Sequence, residues 1–209
     1  MTDLFNAPVP PGLSSRNEMI SAEEEKVLMA AIDSLDLQPF VFQQWTGKRL
    51  THSFGLNYDL QSGALARAEP IPDWLLDVRE RMAAFAGLAA DDLVQALLLR
   101  YDIGAGIGWH RDRPIYEHVV GLSLGAPATL RFRKRRAERW SRASTPLEPR
   151  GAYHLCGEAR HNWEHSVVEM DRTRYSIAFR SLSANGRSVV MVLSIYRRSS
   201  GGSDCRSGI

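Results

Sequence analysis

The chain has 209 residues, 44% of them hydrophobic and 24% charged, and a formal net charge of +2. That length suits one domain with a sizeable core, and the balanced charge excludes a global basic field. No apolar run reaches the roughly 18 residues of a membrane span, the start lacks the regions of a secretory signal, and Cys156 and Cys205 suggest no structural disulfide, so a soluble cytoplasmic protein is expected.

Residues 1–19 read as a flexible arm. Ser21 and Glu24 then form a capping box, and Val27, Leu28, Ala31, Ile32 and Leu35 recur at helical spacing, which predicts a helix over about 22–35. Residues 40–60 mix β-branched and aromatic side chains with Gly47 and Gly55 and read as short strands and turns. Pro70 and Pro72 precede a second helix with Leu75, Leu76, Val78, Met82 and Phe85 on its buried side and Gly87 near its end. Strands are predicted at about 94–101, 119–124, 128–133, 151–155, 164–168, 174–180 and 188–196, and a disordered tail at 199–209. Helices first and many short strands afterwards predict an α+β fold with an antiparallel double-sheet barrel.

The strongest chemical signal is Trp109-His110-Arg111-Asp112, just after a glycine-rich turn at 104–108. Side chains alternate along a strand, so His110 and Asp112 share a face. A second histidine from a later strand would complete a 2-His-1-carboxylate triad, which suits ferrous iron and leaves positions open for a co-substrate and dioxygen. Of the six histidines, His118 is too near the first pair and His161 has a turn-like setting. His165, among strand-forming residues after Trp163, is the preferred third ligand, with His154 as the alternative. Mn(II), Co(II) or Ni(II) could occupy the same donors, and sulfur ligation is not expected because the cysteines have no zinc spacing.

On the strand at 174–180, Arg174, Ser176, Ala178 and Arg180 share one face and Tyr175, Ile177 and Phe179 the other. The second set reads as core. The first places two guanidinium groups roughly 20 Å apart along an ideal strand, and one of them can fork onto a carboxylate; a sheet edge with two solvated arginines is the alternative. Tyr101 can add a phenolic donor. Arg131, Arg133 and Arg135 alternate onto one strand face, and Lys134, Arg136, Arg139 and Arg142 extend the basic run. Either a nucleic-acid track or a solvated hairpin follows from that pattern.

Taken together, residues 100–112, Ser123-Leu124-Gly125, residues 157–165 and residues 174–180 resemble the AlkB family of Fe(II)- and 2-oxoglutarate-dependent dioxygenases. The resemblance spans about 20–182 and implies a double-stranded β-helix (jelly-roll) core with supporting N-terminal helices and a nucleotide-recognition lid, here about 38–65, within one domain at 20–198. It implies Fe(II) on His110, Asp112 and His165, no catalytic residue beyond the metal centre, and 2-oxoglutarate on Arg174, Tyr101, Arg180 and Ser176. The family's last strand usually carries Asn and Thr where this chain has Ser176 and Ala178, and Leu99 stands where an Asn is common. Pro114 takes the place of an acid found in the bacterial DNA-repair member.

The implied activity is oxidative demethylation of N-alkylated bases, with dioxygen as co-substrate and release of succinate and formaldehyde. Such a base must be single-stranded or flipped out of its stack. Trp45, Arg49, His52, Phe54 and Tyr58 are the candidate lid contacts, and Arg133 and Arg135 the candidate backbone contacts; each lid aromatic can equally be lid core. A monomer with no membrane partner is expected. The same chemistry on transfer RNA or protein side chains is the alternative, and a non-catalytic nucleic-acid-binding barrel is the reading from another class.

Overall fold

A computed structural model describes residues 9–42, 45–58 and 65–189. Two antiparallel sheets face each other, and two helices cover the outer face of the larger one. The chain starts with β1 (Leu13–Arg16), α1 (Ala22–Asp33), β2 (Gln38–Phe42), β3 (Trp45–Tyr58) and β4 (Leu65–Arg67). After a 3-10 turn come α2 (Leu76–Ala86) and a second such turn. Then follow β5 (Leu93–Tyr101), β6 (Ile107–His110), β7 (Tyr116–Gly125), β8 (Ala128–Arg136), β9 (Arg139–Leu147), β10 (Ala152–Leu155), α3 (Gly157–His161), β11 (Glu164–Val167) and β12 (Arg174–Leu182). The larger sheet runs β1-β10-β7-β12-β5-β3-β2, with β4 on β3, and the smaller β6-β11-β8-β9. This is the α+β jelly roll that the element pattern predicts.

α1 begins where its capping box demands: Ser21 Oγ accepts from the Glu24 amide at 3.2 Å and the Glu24 carboxylate from the Ser21 amide at 2.8 Å. Leu28 and Ile32, one turn apart, are buried against the larger sheet, whereas Val27 is exposed. α2 buries Val78, Met82 and Ala83 and ends at Gly87, whose φ of +69° is the left-handed cap that glycine adopts without a Cβ penalty. Leu76, expected on its buried side, is largely exposed.

Strand alternation divides the larger sheet into two faces. Ala96, Leu98, Val120, Leu122, Leu124, Ile177 and Phe179 meet the helices in one apolar cluster. Leu99, Tyr101, Val119 and Ala178 meet Leu130, Phe132 and Val167 of the smaller sheet in a second. At about 25 cal/mol per Å² of apolar surface removed from water, these two layers dominate the stability.

Three local expectations change. Leu13–Arg16, inside the stretch read as a loose arm, pairs with β10, because its backbone groups find partners on that open edge. Residues 40–60 are not a run of short strands: β3 is a single 14-residue strand, its length held by ladders to β2 on one side and β5 on the other. The basic stretch, by contrast, forms the expected hairpin, with β9 pairing β8 from Arg136↔Arg139 onward. Ser188 and Val189, predicted to open a strand, lie in a helical turn at 184–189, nucleated by Ser183, whose hydroxyl accepts from the Gly186 amide. Residues 190–196, the rest of that predicted strand, and the tail at 199–209 lie outside the described residues, as do 1–8 of the arm and 43–44 and 59–64 of the expected lid. No described helix is long and apolar enough to cross a membrane.

Candidate metal centre and co-substrate pocket

The space between the sheets, at the end where β6 meets β11, holds the polar cluster. His110 closes β6 and is the cross-strand partner of His165 on β11, and their rings lie 4.3 Å apart. Asp112 is not on the strand with His110, because β6 ends at His110. Its carboxylate is instead drawn inward by Arg180 of β12, whose Nε and Nη2 donate to Oδ1 at 3.0 and 2.7 Å. Asp112 Oδ2 is then 3.5 Å from His165 Nε2. One nitrogen of each histidine and one oxygen of Asp112 lie within 4.8 Å of one another, a group able to hold a metal ion.

The protonation states match that use. Burial alone would raise the Asp112 carboxyl, but Arg180, His165 and His110 outweigh it and hold it well below the usual carboxylate range. Burial, aided by His110, pushes His165 down to about 3, and burial also lowers His110. The site therefore offers two neutral imidazoles and one carboxylate at neutral pH. His110 Nδ1 is 2.9 Å from the Gly108 carbonyl, which leaves Nε2 as the free lone pair.

Arg174 is 2% exposed. Its Nη2 donates to Ser123 Oγ at 3.1 Å, its guanidinium carbon lies 5.2 Å from the Tyr101 ring centre, and its Nε has no partner among the described residues. Arg49 of β3 is likewise buried, 3.9 Å over the Phe40 ring, with Nε unpartnered among the described residues. Burial, opposed by the charges of Tyr101 and Asp112, lowers its pKa. Two guanidinium groups, Arg174 and Arg180, thus line the cavity with a single carboxylate, Asp112. A cavity with that surplus of guanidinium charge calls for an anion.

The other expected contacts divide. Ser176 lines the same cavity, but its hydroxyl donates to the Leu122 carbonyl at 3.2 Å. Leu99 lines it too and contributes an apolar wall. His154, the alternative third ligand, is on the other face of β10 and bonds His118 at 2.9 Å. Phe54 is core: it pairs with Ala96 in register, faces the helices and meets Trp74 edge-on, so it offers no stacking surface. His52 shares that face, 4.6 Å from the Phe54 ring. The side chains of Trp45 and Tyr58 lie outside the described residues.

Arg133 is committed rather than free: Nε binds Glu164 at 2.6 Å, and its guanidinium lies 4.6 Å from both the Trp109 and Trp140 ring centres. Arg135 is exposed. Both lie on the outer face of the smaller sheet, in a groove with Arg111, Lys134 and Asn162.

Three residues were missed. Arg160 donates to the Arg113 and Tyr116 carbonyls and so braces the loop that carries Asp112. Gln95 accepts from Arg180 Nη1 at 3.1 Å. Tyr153 lines the cavity, its hydroxyl raised to about 12 by burial. Arg160 belongs to the 157–165 motif and could have been read from it; the other two gain their place only from cross-strand register.

Fold and site define a class: a double-stranded β-helix with a 2-His-1-carboxylate group and a buried arginine, the arrangement of non-haem iron oxygenases. The family model of the 2OG-Fe(II) oxygenase superfamily matches residues 29–188, and the chain belongs to that superfamily. That superfamily is named for Fe(II) and 2-oxoglutarate, and the donor set and the unpartnered Arg174 Nε fit that pair.

Among relatives, the Arabidopsis thaliana "Alkylated DNA repair protein ALKBH8 homolog" is 25% identical over 82% of this chain and 55% of its own length. The Macaca fascicularis "tRNA (carboxymethyluridine(34)-5-O)-methyltransferase ALKBH8" is 26% identical over 77% of this chain and 24% of its own. The Danio rerio "Probable RNA/DNA demethylase ALKBH6" is 31% identical over 59% of this chain and 50% of its own. The chain thus spans about half or less of these relatives. The structure of OsALKBH1 superposes with a TM-score of 0.62 at 16% identity, over 83% of this chain and 98% of that one, and shares the fold.

Proposed function

We propose that this chain oxidatively removes alkyl groups from the nitrogen atoms of bases in nucleic acid, acting on single-stranded or flipped-out nucleotides, as a monomer. The observation that supports it most is the His110–Asp112–His165 group beside a buried arginine whose Nε lacks a partner. Fe(II) on the triad with 2-oxoglutarate on Arg174 supplies, when bound, dioxygen-driven oxidation of a C–H bond coupled to decarboxylation of the keto acid.

The chain's own residues supply positioning and exclusion of water. Arg180 keeps Asp112 ionised and aimed, Gly108 orients the His110 ring, and Arg160 anchors the intervening loop. Arg174 takes the distal carboxylate beside the Tyr101 ring. Leu99, Val119, Leu130 and Val167 wall the cavity with apolar surface, which strengthens each ion pair inside it. Arg49, buried at the β3 side, is placed to meet an anionic or carbonyl-bearing substrate group.

Nucleic acid as substrate rests on the names of the plant and zebrafish relatives and on the basic groove of the smaller sheet. Transfer RNA is the second reading, favoured by the macaque relative's name. The test is succinate and formaldehyde release by protein purified anaerobically and loaded with Fe(II), given methylated single-stranded DNA, methylated RNA or bulk transfer RNA. Release of both products above the substrate-free rate, lost in His110→Ala, is expected. Succinate at the substrate-free rate with every nucleic acid, from a protein that turns over with a peptide, would remove the proposal.

A further inference from the structure

On β7 and β10 the even-numbered residues face the helical layer: Val120, Leu122, Leu124 and Ala152 are all in the apolar cluster beneath α1 and α2. Beyond the helices the same face ends in a different set of side chains. His154 is the register partner of Val120, so His118, two residues earlier, lies diagonally across from it. Cys156, two residues past His154, falls on the same face. His118 Nδ1 and His154 Nε2 are 2.9 Å apart with the rings stacked, and one donor atom from each of His118, His154 and Cys156 lies within 4.8 Å of the others. Tyr153, the residue before His154, points the opposite way, into the cavity of the triad, so the sheet itself separates the two clusters.

We propose that His118, His154 and Cys156 form a second metal site, for a borderline divalent cation such as zinc, with three protein ligands and a water in the fourth position. Two nitrogens on one tetrahedral zinc stand about 3.3 Å apart, and a nitrogen and a sulfur about 3.6 Å. To reach those values the two histidine nitrogens must part from 2.9 Å and the Cys156 thiol must leave its 3.4 Å hydrogen bond to the Gly12 carbonyl. The protonation states allow it: burial brings His154 down to about 4 and lowers His118, so both rings are neutral at neutral pH and each can offer one nitrogen once their mutual hydrogen bond gives way to the metal. Burial and the nearby Glu117 raise the Cys156 thiol, an effect that a bound dication reverses by taking the thiolate.

The surroundings are anionic. Glu117 and Asp92 both act on His118, against one opposing neighbour, His161, which Glu117 itself holds at 3.0 Å. Cys156 also holds Gly12 through its backbone amide, at 2.9 Å, so an ion here would clamp the N-terminal segment and β10 to β7. Cysteine spacing along the chain gives no hint of the site, because its ligands come from two strands brought together by register.

The test is Co(II) titration of the apo-protein under reducing conditions, in a Cys205→Ser background. The iron centre offers only nitrogen and oxygen donors, so a thiolate-to-cobalt charge-transfer band in the near ultraviolet reports the second site alone. We expect that band in the parent, its retention in His110→Ala, its loss in Cys156→Ser, and a raised Tm with Zn(II) in His110→Ala that disappears when His118→Ala is added. A folded parent with no such band, or a band that survives Cys156→Ser, overturns the assignment. Either result leaves the dioxygenase reading untouched, since His118, His154 and Cys156 do not belong to it.

Discussion

At the residue scale, charge decides the site. Arg180 and Asp112 are a buried ion pair whose arginine also donates to Gln95 and lies 5.4 Å from the Tyr116 ring centre. Removing the carboxylate strands a guanidinium in the cavity. Asp112→Ala is therefore expected to lower apo-protein stability by about 3 kcal/mol, as breaking a buried pair does, while abolishing turnover; a urea unfolding series and the succinate assay measure the two effects. An unchanged midpoint would mean that Arg180 finds water. Arg174 makes the complementary case. Its unpartnered Nε predicts that Arg174→Ala raises the 2-oxoglutarate KM by an order of magnitude or more, since a charge-assisted pair of about 1.5–3 kcal/mol is lost. Arg174→Lys keeps the charge without the fork and should fall between. Steady-state kinetics with 2-oxoglutarate as the varied substrate settle it.

At the element scale, tight strand crossings and helix ties carry the load. Gly121 and Tyr153 are register partners, and a Cβ on Gly121 would come within 2.2 Å of the Tyr153 ring. Gly121→Ala must push that ring into the cavity or spread β7 from β10. It should cost about 2 kcal/mol, the scale of overpacking, and raise the 2-oxoglutarate KM, and differential scanning calorimetry with kinetics checks both.

α1 and α2 are joined by Glu24 and Arg81 at 2.6 Å. The hydrogen bond from Arg81, with those from Ser21, brings the Glu24 carboxyl down to about 2 from 4.5. A depressed carboxyl contributes stability that is complete above pH 4.5 and lost as the pH falls through 2. Both side chains are over a third exposed, so solvent screening limits the effect: Glu24→Gln should cost about 1 kcal/mol at pH 7. The gap from the parent should close between pH 4.5 and 2; parallel denaturant curves that already coincide at pH 7 would show the tie to be inert.

At the scale of the whole molecule, the two sheets give the protein two working faces. The triad points into the space between them, and the basic groove lies on the outside of the smaller one, with Glu164 outward and His165 inward on the same strand. A nucleic acid tracking the groove must pass the rim of β6 and β11 to deliver a base to the metal. Arg135 is exposed and Arg133 is held by Glu164 and two indoles, so they should behave differently. Arg135→Ala is expected to reduce the slope of log affinity against log salt by about 1 without changing Tm. Arg133→Ala should lower Tm instead, and binding isotherms at several salt concentrations beside melting curves separate the two.

Much of this was legible along the chain, because local rules govern it. The Ser21 box set the start of α1, the period-2 face of residues 174–180 sorted Arg174 and Arg180 from Tyr175, Ile177 and Phe179, and the His110–Asp112 pair with His165 marked a group able to hold a metal ion. What the chain alone could not place depended on partners far away in sequence. Phe54 read as lid until its register with Ala96 turned it toward the helices. Asp112 joins His110 because Arg180, 68 residues on, draws it in, and not because one strand carries both. Gln95, Tyr153 and the trio of His118, His154 and Cys156 acquire a role only across strand pairs. Periodicity tells which side of a strand a residue takes; only the packed sheets decide what stands opposite, since that is set by register and burial between segments that the sequence keeps apart.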